Sequence, residues 1–336
     1  MELKLEKKLR YIFKWIIAFG VIKVAVLAIA ILAIALVITF GGPSPIAARL
    51  SINDPFKNLD YSALPQVQRY KARDGAMLAY RHYASTLAST SAANQRRVVL
   101  IHGSSASSKS MHTLAQTLIT AGFTVDALDM RGHGDSGARG HISYIGQLED
   151  DVADFMRALP CSGTNTLLGF SAGAGFTLRF SASEQAALFD RYLLLSPFFI
   201  QAPTNRPSSG WASVGIPRIV AITILNGFGI TRWNDLPVTQ FALDDQAEKF
   251  LTPTYSFALS TNFGAHRDYP QDIVKASQNL KLIAGMDDEL MFADRYANVF
   301  ASAGKTIPIQ LVANTGHMGM ILNVPALQVV VAALGD

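Results

Sequence analysis

The sequence contains one cysteine, Cys161, and a low fraction of charged residues, 16%. A single cysteine cannot form an intramolecular disulfide, so the folded part of this chain must be stable through packing alone. No Cys-x-x-Cys pair and no cluster of histidine and cysteine is present, so nothing in the sequence indicates a metal site. Half of the 336 residues are hydrophobic, and the charged fraction is low for a purely soluble protein.

The surplus of hydrophobic residues is concentrated near the N-terminus. Residues 24–40 include no charged side chain, and as a helix this run would extend for roughly 26 Å, close to the thickness of the hydrocarbon core of a bilayer. A Gly-Gly-Pro sequence follows and ends the helix. We therefore expect one transmembrane anchor over residues 24–42, after a basic flank over residues 1–23.

The charges of this flank predict the orientation of the anchor. Positive flanks stay on the cytoplasmic side of a membrane. The basic residues are Lys4, Lys7, Lys8, Arg10, Lys14 and Lys23, against Glu2 and Glu6. We expect a single-pass protein with a cytoplasmic N-terminus and an exported main domain, on the periplasmic side of a bacterial inner membrane. A cleaved signal peptide is the alternative, although residues 46–48 make only a mediocre cleavage site.

The flank also accounts for the formal net charge of +4, because the rest of the chain carries equal numbers of basic and acidic residues. The main body is therefore neutral. The isoelectric point near 9.1 then gives no reason to expect a nucleic-acid partner.

Beyond a proline-containing tether over residues 43–65, the pattern predicts an α/β domain over residues 66–336. Two short runs at 67–71 and 77–83 suggest an antiparallel hairpin. After them, apolar strand-like runs alternate with helical patterns, which predicts a mostly parallel central sheet with helices on both faces. The strand-like runs are 97–101, 123–129, 166–170, 192–195, 280–283 and 307–312, and the helical patterns are 111–121, 145–159, 173–183, 293–303 and 326–334.

One long interruption lies between the fourth and fifth of these strand-like runs. It is more apolar than a connecting loop, with Trp211, residues 216–225 and Phe228. We expect a helical cap insertion at about residues 198–278. Extra helices packed for stability alone are the alternative.

The stretch Gly169-Phe170-Ser171-Ala172-Gly173 follows an apolar run and precedes a helical pattern. A serine between two glycines at a strand-to-helix junction is typical of a nucleophile elbow, a turn so sharp that only very small residues fit at these two positions. Ser171 is therefore the candidate nucleophile.

A serine nucleophile needs a base, an acid that orients the base, and donors for an oxyanion. His317 lies in a Gly-flanked loop after the last strand-like run and is the candidate base, with His266 the weaker choice. Asp288 follows the run that ends near Gly285 and is the candidate acid, with Asp287 the close alternative. The order serine, acid, histidine is the one expected for this sheet architecture.

The oxyanion donors are expected from two backbone N–H groups. Ala172 follows the nucleophile and supplies the first, and Ser104 supplies the second from the small-residue loop after residues 98–101. We expect His102 to support this loop rather than to move protons.

Together these segments resemble the α/β-hydrolase superfamily, in the branch of monoacylglycerol lipases, lysophospholipases and serine aminopeptidase-like hydrolases. The resemblance covers about residues 67–336. It rests on His102-Gly103, on residues 129–136, on the elbow, on residues 285–288 and on Gly316-His317. Phe170 and Ala172 depart from it, because many relatives have histidine and methionine there, and the loop after Gly103 lacks the Gly-Glu-His continuation of monoacylglycerol lipases.

The resemblance implies a membrane-anchored serine hydrolase that cleaves carboxylic esters through a Ser-His-Asp acyl-enzyme mechanism without a cofactor. The apolar cap and the anchor favour a hydrophobic ester of monoacylglycerol or lysophospholipid type and a lipid bilayer as partners. A peptidase, an acyltransferase or a non-catalytic binding module on the same fold remain alternatives. The sequence leaves the oligomeric state open.

Overall fold

The computed structural model describes residues 2–47, 54–87, 95–207 and 210–335. Within them the strands are β1 (Val67–Lys71), β2 (Met77–Tyr83), β3 (Arg96–Ile101), β4 (Thr124–Leu128), β5 (Thr164–Phe170), β6 (Arg191–Leu195), β7 (Ala212–Val214), β8 (Pro237–Phe241), β9 (Thr254–Ser256), β10 (Leu280–Gly285) and β11 (Ile309–Val312). The α-helices are α1 (Glu2–Phe40), α2 (His112–Thr120), α3 (Gln147–Ala158), α4 (Ala172–Ser181), α5 (Ile216–Gly227), α6 (Phe257–Asn262), α7 (Tyr269–Lys275), α8 (Tyr296–Ser302), α9 (Gly319–Leu322) and α10 (Val324–Gly335).

The central sheet has eight strands in the order β1-β2-β4-β3-β5-β6-β10-β11. The hairpin β1-β2 is antiparallel and joins β4 in the antiparallel sense, and the other neighbours are parallel. The expected α/β fold with a mostly parallel sheet is confirmed.

Successive residues of the central strands enter two different hydrophobic cores. Val99 and Ile101 of β3 belong to one buried cluster, and Val98 and Leu100 belong to the other. Side chains alternate between the faces of a strand, so a sheet that is covered on both sides needs continuous apolar runs. This is why β3 appears as an unbroken hydrophobic segment in the sequence.

The insertion between β6 and β10 contains β7, α5, β8, β9, α6 and α7. Its three strands form a small antiparallel sheet in the order β7-β8-β9. The expected helices α5, α6 and α7 are present, but the small sheet was not expected. The strand β8, with the sequence Pro-Val-Thr-Gln-Phe, is rich in β-branched and aromatic residues, which suit a half-buried sheet, but it is too short to give a clear period. We call residues 198–278 the cap.

The N-terminal helix α1 is 39 residues long and includes the basic flank, which was expected to be separate from the anchor. The part from Glu6 to Phe40 contains an 18-residue window with a mean hydropathy of 3.1 and is long and apolar enough to cross a membrane. Of the expected tether, residues 48–53 lie outside the described residues, as does the last residue of the cleavage site weighed above. A short 3₁₀ turn at Asp54–Phe56 follows this gap.

Candidate active site

Ser171 occupies the turn between β5 and α4, with φ 55° and ψ −119°. A residue with a side chain rarely adopts this backbone conformation, which costs on the order of 1–3 kcal/mol and persists only where the surroundings enforce it. Here the Ser171 N–H donates to Leu195 O at 2.9 Å, and the Ser171 carbonyl accepts from Phe198 N at 3.0 Å and from Gly175 N at 3.1 Å. The hydrogen bonds of β6 and α4 thus hold the elbow.

The two glycines that flank the serine are required by close packing. A Cβ atom on Gly169 would lie 2.2 Å from Gly173 O, and one on Gly173 would lie 2.2 Å from His102 O. Both contacts are with backbone atoms, which cannot move aside as a flexible side chain does. The small residues predicted at these positions therefore allow α4 to begin directly against β5 and against the loop after β3.

His317 and Asp288 lie together beside this elbow. Asp288 Oδ2 is 2.8 Å from His317 Nδ1, and both side chains are buried. The His317 ring packs on that of Phe170, the residue before Ser171, with 4.9 Å between the ring centroids. Among the described residues, the buried Nε2 atom of His317 has no hydrogen-bond partner, so it is available as a proton acceptor.

Asp288 is held as a carboxylate by more than the histidine. Its Oδ1 atom accepts the N–H groups of Leu290 and Met291, each at 2.9 Å. Burial acts to raise the pKa of Asp288, but the hydrogen bonds from His317 and the Leu290 N–H outweigh it, and the pKa lies below its ordinary value. A charged Asp288 can therefore orient His317 and stabilise its protonated form.

The three adjacent carboxylates differ in position. Asp287 is exposed, whereas Asp288 is buried against His317. Glu289 Oε2 accepts the backbone N–H of His317 at 2.8 Å, and the same oxygen would lie 2.8 Å from a Cβ atom on Gly316. Glu289 thus fixes the backbone of the histidine loop, a role that sequence reasoning missed although the residue lies in the predicted acidic cluster.

The loop after β3 lies directly beside the nucleophile. A Cβ atom on Gly103 would lie 3.4 Å from the Cβ atom of Ser171, so the backbone at Gly103 and Ser104 approaches the elbow closely. Within the described ranges, the N–H groups of Ser104 and Ala172 donate to no other group. Two free backbone donors next to a serine are what an oxyanion site requires.

His102 supports this loop through two hydrogen bonds. Its Nδ1 atom donates to Gly103 O at 2.8 Å, and its Nε2 atom accepts the Met130 N–H at 3.2 Å. Complete burial lowers its pKa, so the ring is neutral and links the end of β3 to the end of β4. The sequence predicted a supporting histidine but could not identify these partners. His266, the weaker candidate base, instead pairs with Asp272 at 2.7 Å in the cap.

The cap binds the next residue of the same loop. Ser105 has φ 64°, and all of its polar groups are paired with the cap. Its hydroxyl donates to Thr252 O at 2.7 Å, and its carbonyl accepts the Thr252 N–H at 2.8 Å. Its N–H donates to the hydroxyl of Tyr255, which in turn contacts His133 Nε2 at 2.7 Å.

The contacts of Thr252 and Tyr255 explain how a loop of small residues keeps one conformation next to Ser171, and we call these two residues the clamp. Sequence reasoning missed both, because nothing in the local pattern around them distinguishes such hydrogen-bonding residues from ordinary cap packing. Among the described residues, no group of three or more His, Cys, Asp or Glu side chains is arranged to hold a metal ion.

Comparisons with known proteins agree with this fold. The family model described as serine aminopeptidase, S33 matches residues 92–234. A soluble variant of monoglyceride lipase from Saccharomyces cerevisiae is 17% identical, with a TM-score of 0.59 and coverage of 80% of this chain and 94% of that chain. The comparison with curated proteins returned no significant match.

Two further solved structures are similar. Monoacylglycerol lipase from Paleococcus ferrophilus has a TM-score of 0.56 at 17% identity, covering 76% of this chain and 98% of that chain. A bacterial membrane phospholipase A has a TM-score of 0.53 at 15% identity, covering 97% of this chain and 98% of that one. At these identities the likeness shows the fold. That fold is the α/β-hydrolase fold, and the family match over residues 92–234 agrees with the branch that the sequence motifs indicated.

Proposed function

We propose that this protein is a membrane-anchored serine hydrolase that cleaves carboxylic esters. The observation that carries the proposal is the buried Asp288–His317 pair, 2.8 Å apart, packed against the strained turn that presents Ser171. A histidine with one nitrogen bound to a buried carboxylate and the other free is arranged to accept a hydroxyl proton.

In the proposed reaction, the Ser171 hydroxyl attacks the ester carbonyl carbon while His317 Nε2 takes the hydroxyl proton. The carbonyl oxygen gains the negative charge, which the N–H groups of Ser104 and Ala172 stabilise. Loss of one such donor costs on the order of 3 kcal/mol in other serine hydrolases. The C–O bond to the alcohol then breaks, and His317 returns the proton to the leaving alcohol.

The second half of the reaction uses the same groups. Water attacks the acyl group on Ser171, His317 accepts a proton from that water, and the carboxylic acid leaves as the proton returns to the serine oxygen. Asp288 stays ionised throughout and stabilises the protonated His317. Each step uses side chains and N–H groups of this chain, and no cofactor is invoked.

A hydrophobic, lipid-like ester is the proposed substrate class. Two observations support it: the apolar helix α1, and the fold shared with monoglyceride lipases and a membrane phospholipase A. With α1 retained as a single-pass anchor, the six basic residues of its flank favour a cytoplasmic N-terminus and an exported catalytic domain.

The test is fluorophosphonate labelling of the detergent-solubilised full chain, beside Ser171→Ala and His317→Ala, with turnover of p-nitrophenyl esters of increasing acyl length. We expect the wild type to be labelled, both variants to lose turnover, and longer acyl chains to be cleaved faster. A folded wild type that is not labelled would contradict the hydrolase proposal. A preference for short soluble esters would contradict only the lipid part.

Peptidase activity is a second candidate, because the matched family model is described as a serine aminopeptidase. Two of the cap carboxylates that could bind a peptide amine already have local partners. Asp235 pairs with His141, and Asp244 accepts the N–H groups of Gln246 and Ala247. We therefore favour the ester, and a comparison of aminoacyl arylamides with acyl esters on the same preparation separates the two.

A further inference from the structure

The cap helix α5 contacts the C-terminal end of α1. Of the α1 side chains that the structure describes, those before Ile34 are exposed, whereas Ile34 and Val37 are half-buried and Ile38 is buried. Ile34 lies six positions before Phe40, or roughly 9 Å along the helix axis. The cap therefore covers α1 to that depth from its end.

Arg218 of α5 fixes this contact. The last carbonyl groups of a helix have no partner within the helix, and they are costly to leave unpaired where water is scarce. The Arg218 guanidinium donates to Ile38 O at 2.8 Å and to Thr39 O at 2.9 Å, and its backbone N–H donates to Gly41 O at 3.1 Å. A third guanidinium bond, to Pro237 O at 2.7 Å, joins the same side chain to β8.

The face of α5 that points away from the cap is apolar and exposed. Ile222 on the opposite face is buried in a small cluster with Val238 and Phe257. The outward stripe repeats every four residues, which places its members along one side of a helix. It consists of Ile216, Val220, Ile224 and Phe228, which are 64%, 48%, 47% and 80% exposed. From Ile216 to Phe228 the only charged residue is Arg218, which is occupied by the carbonyl groups of α1 and β8.

We propose that this stripe lies in the outer leaflet of the bilayer, so that α5 is an interfacial membrane helix that holds the cap on the membrane surface. The proposal rests on the proposed anchoring by α1. Helices of this kind bury their apolar face by about 5–10 Å into the boundary between headgroups and acyl chains. The cap covers one face of α1 over roughly 9 Å from its end, which agrees with this range.

This placement would deliver hydrophobic esters to the catalytic domain from the leaflet. The cap that carries α5 also carries Thr252 and Tyr255, which clamp the loop beside Ser171. A substrate that leaves the bilayer under α5 would therefore meet the same structural unit that holds the loop beside Ser171.

The test uses the full chain in phosphatidylcholine vesicles, with a single environment-sensitive fluorophore on an introduced cysteine. Cys161→Ser removes the native thiol. The probe positions are Ile224→Cys on the stripe, Leu32→Cys on α1 as the anchor control, and Val324→Cys on α10, which is 64% exposed and lies on the catalytic domain. Depth is read from quenching by phosphatidylcholine that carries bromine on its acyl chains.

We expect quenching at positions 224 and 32 and none at position 324. Quenching at position 32, together with emission typical of a water-exposed probe at position 224, would contradict the assignment of α5 as an interfacial helix while leaving the anchor intact. A probe at 224 that is shielded from water but not quenched would mean that a second protein copy covers the stripe, which also overturns the proposal. Absence of quenching at 32 would remove the anchor itself, and the proposal with it.

Activity gives a second, independent readout. Ile224→Asp and Phe228→Asp should each lower the hydrolysis of an ester embedded in vesicles by about tenfold, because a charge is expelled from the interface. Hydrolysis of a soluble short-chain ester should stay at the wild-type rate, since neither residue lies in the proposed site. Val324→Asp is the matched control and should change neither rate. Equal loss on both substrates, or loss on neither, would contradict the proposal.

Discussion

The edge of the central sheet and the cap contribute to the site in different ways. The sheet presents the side chains proposed to do the chemistry, Ser171 after β5, Asp288 after β10 and His317 after β11, each on a short loop. The cap supplies hydrogen-bond acceptors instead, since Thr252 O accepts the Ser105 hydroxyl and the Tyr255 hydroxyl accepts the Ser105 N–H. We therefore expect changes at the sheet edge to abolish catalysis. Changes in the cap should instead misalign the loop beside Ser171 or separate the site from a substrate in the membrane.

The largest effect is expected at the sheet edge. Asp288→Asn should lower kcat by about 10⁴-fold, because a neutral amide neither fixes the histidine tautomer nor stabilises its protonated form. Asp287→Asn is the matched control, since Asp287 is exposed and does not contact His317, and its kcat should stay near the wild-type value. Steady-state kinetics on a p-nitrophenyl ester, with circular dichroism to verify folding, measures both. Similar losses in the two variants would refute the assignment of Asp288.

A smaller effect is expected from the cap. Tyr255→Phe leaves the buried Ser105 N–H without its acceptor, so the neighbouring Ser104 N–H loses its alignment. We expect kcat to fall by about tenfold to hundredfold, below the loss caused by complete removal of an oxyanion donor. KM should change little, because the donor acts mainly on the charge that develops in the transition state.

Tyr192→Phe is the control for this prediction. The Tyr192 hydroxyl donates to Ala186 O in the core, away from the loop. Its removal should cost about 1 kcal/mol of stability and leave kcat unchanged. If both variants lose stability and neither loses kcat, the clamp is only a structural contact and the division of roles between sheet and cap is wrong.

The smallest effect concerns pH. Burial lowers the pKa of His102, and burial together with the repulsion that would arise between two protonated rings lowers that of His133 to well below its ordinary value. Both histidines are neutral in the folded protein and take up protons on unfolding below about pH 6.5. Their contribution to stability is present above that pH and is lost as the pH falls, by about 1.4 kcal/mol per pH unit for each proton taken up.

The pKa of His82 in β2 shifts in the opposite direction, because its hydrogen bond to Asp126 raises it. Its contribution is present at low pH and is lost as the pH rises through the raised pKa, so it leaves the acid side unaffected. The free energy of unfolding in detergent, measured from near neutral to mildly acidic pH, should therefore decrease, and His133→Gln should flatten this slope. A slope that His133→Gln leaves unchanged would mean that other groups cause it.

Much of the sheet edge was predictable, because its pattern is local. The strands are recognisable in the sequence as continuous apolar runs such as residues 98–101. The elbow needs glycine at positions 169 and 173, two residues on either side of Ser171. The candidate base and acid follow from the order in which parallel strands end. The choice of Asp288 over Asp287 as the partner of His317 became clear only from the position of each carboxylate.

The cap was predicted less completely. Its small sheet was missed because three short strands give no clear period, and Tyr255 and Arg218 act on partners that are distant in the sequence. No local pattern reveals that Tyr255 pairs with a loop 150 positions away, or that Arg218 caps a helix 180 positions before it.

The sequence by itself determined the α/β alternation, the apolar N-terminal helix, the candidate residues Ser171 and His317 and the acidic loop that contains Asp288, because each depends on residue types within a few positions of one another. Only the tertiary structure decided which carboxylate meets the histidine, what holds the loop beside the nucleophile, and how the cap is joined to α1. These depend on hydrogen bonds between segments that are distant along the chain, and their formation requires the packed cores to bring those segments within about 3 Å.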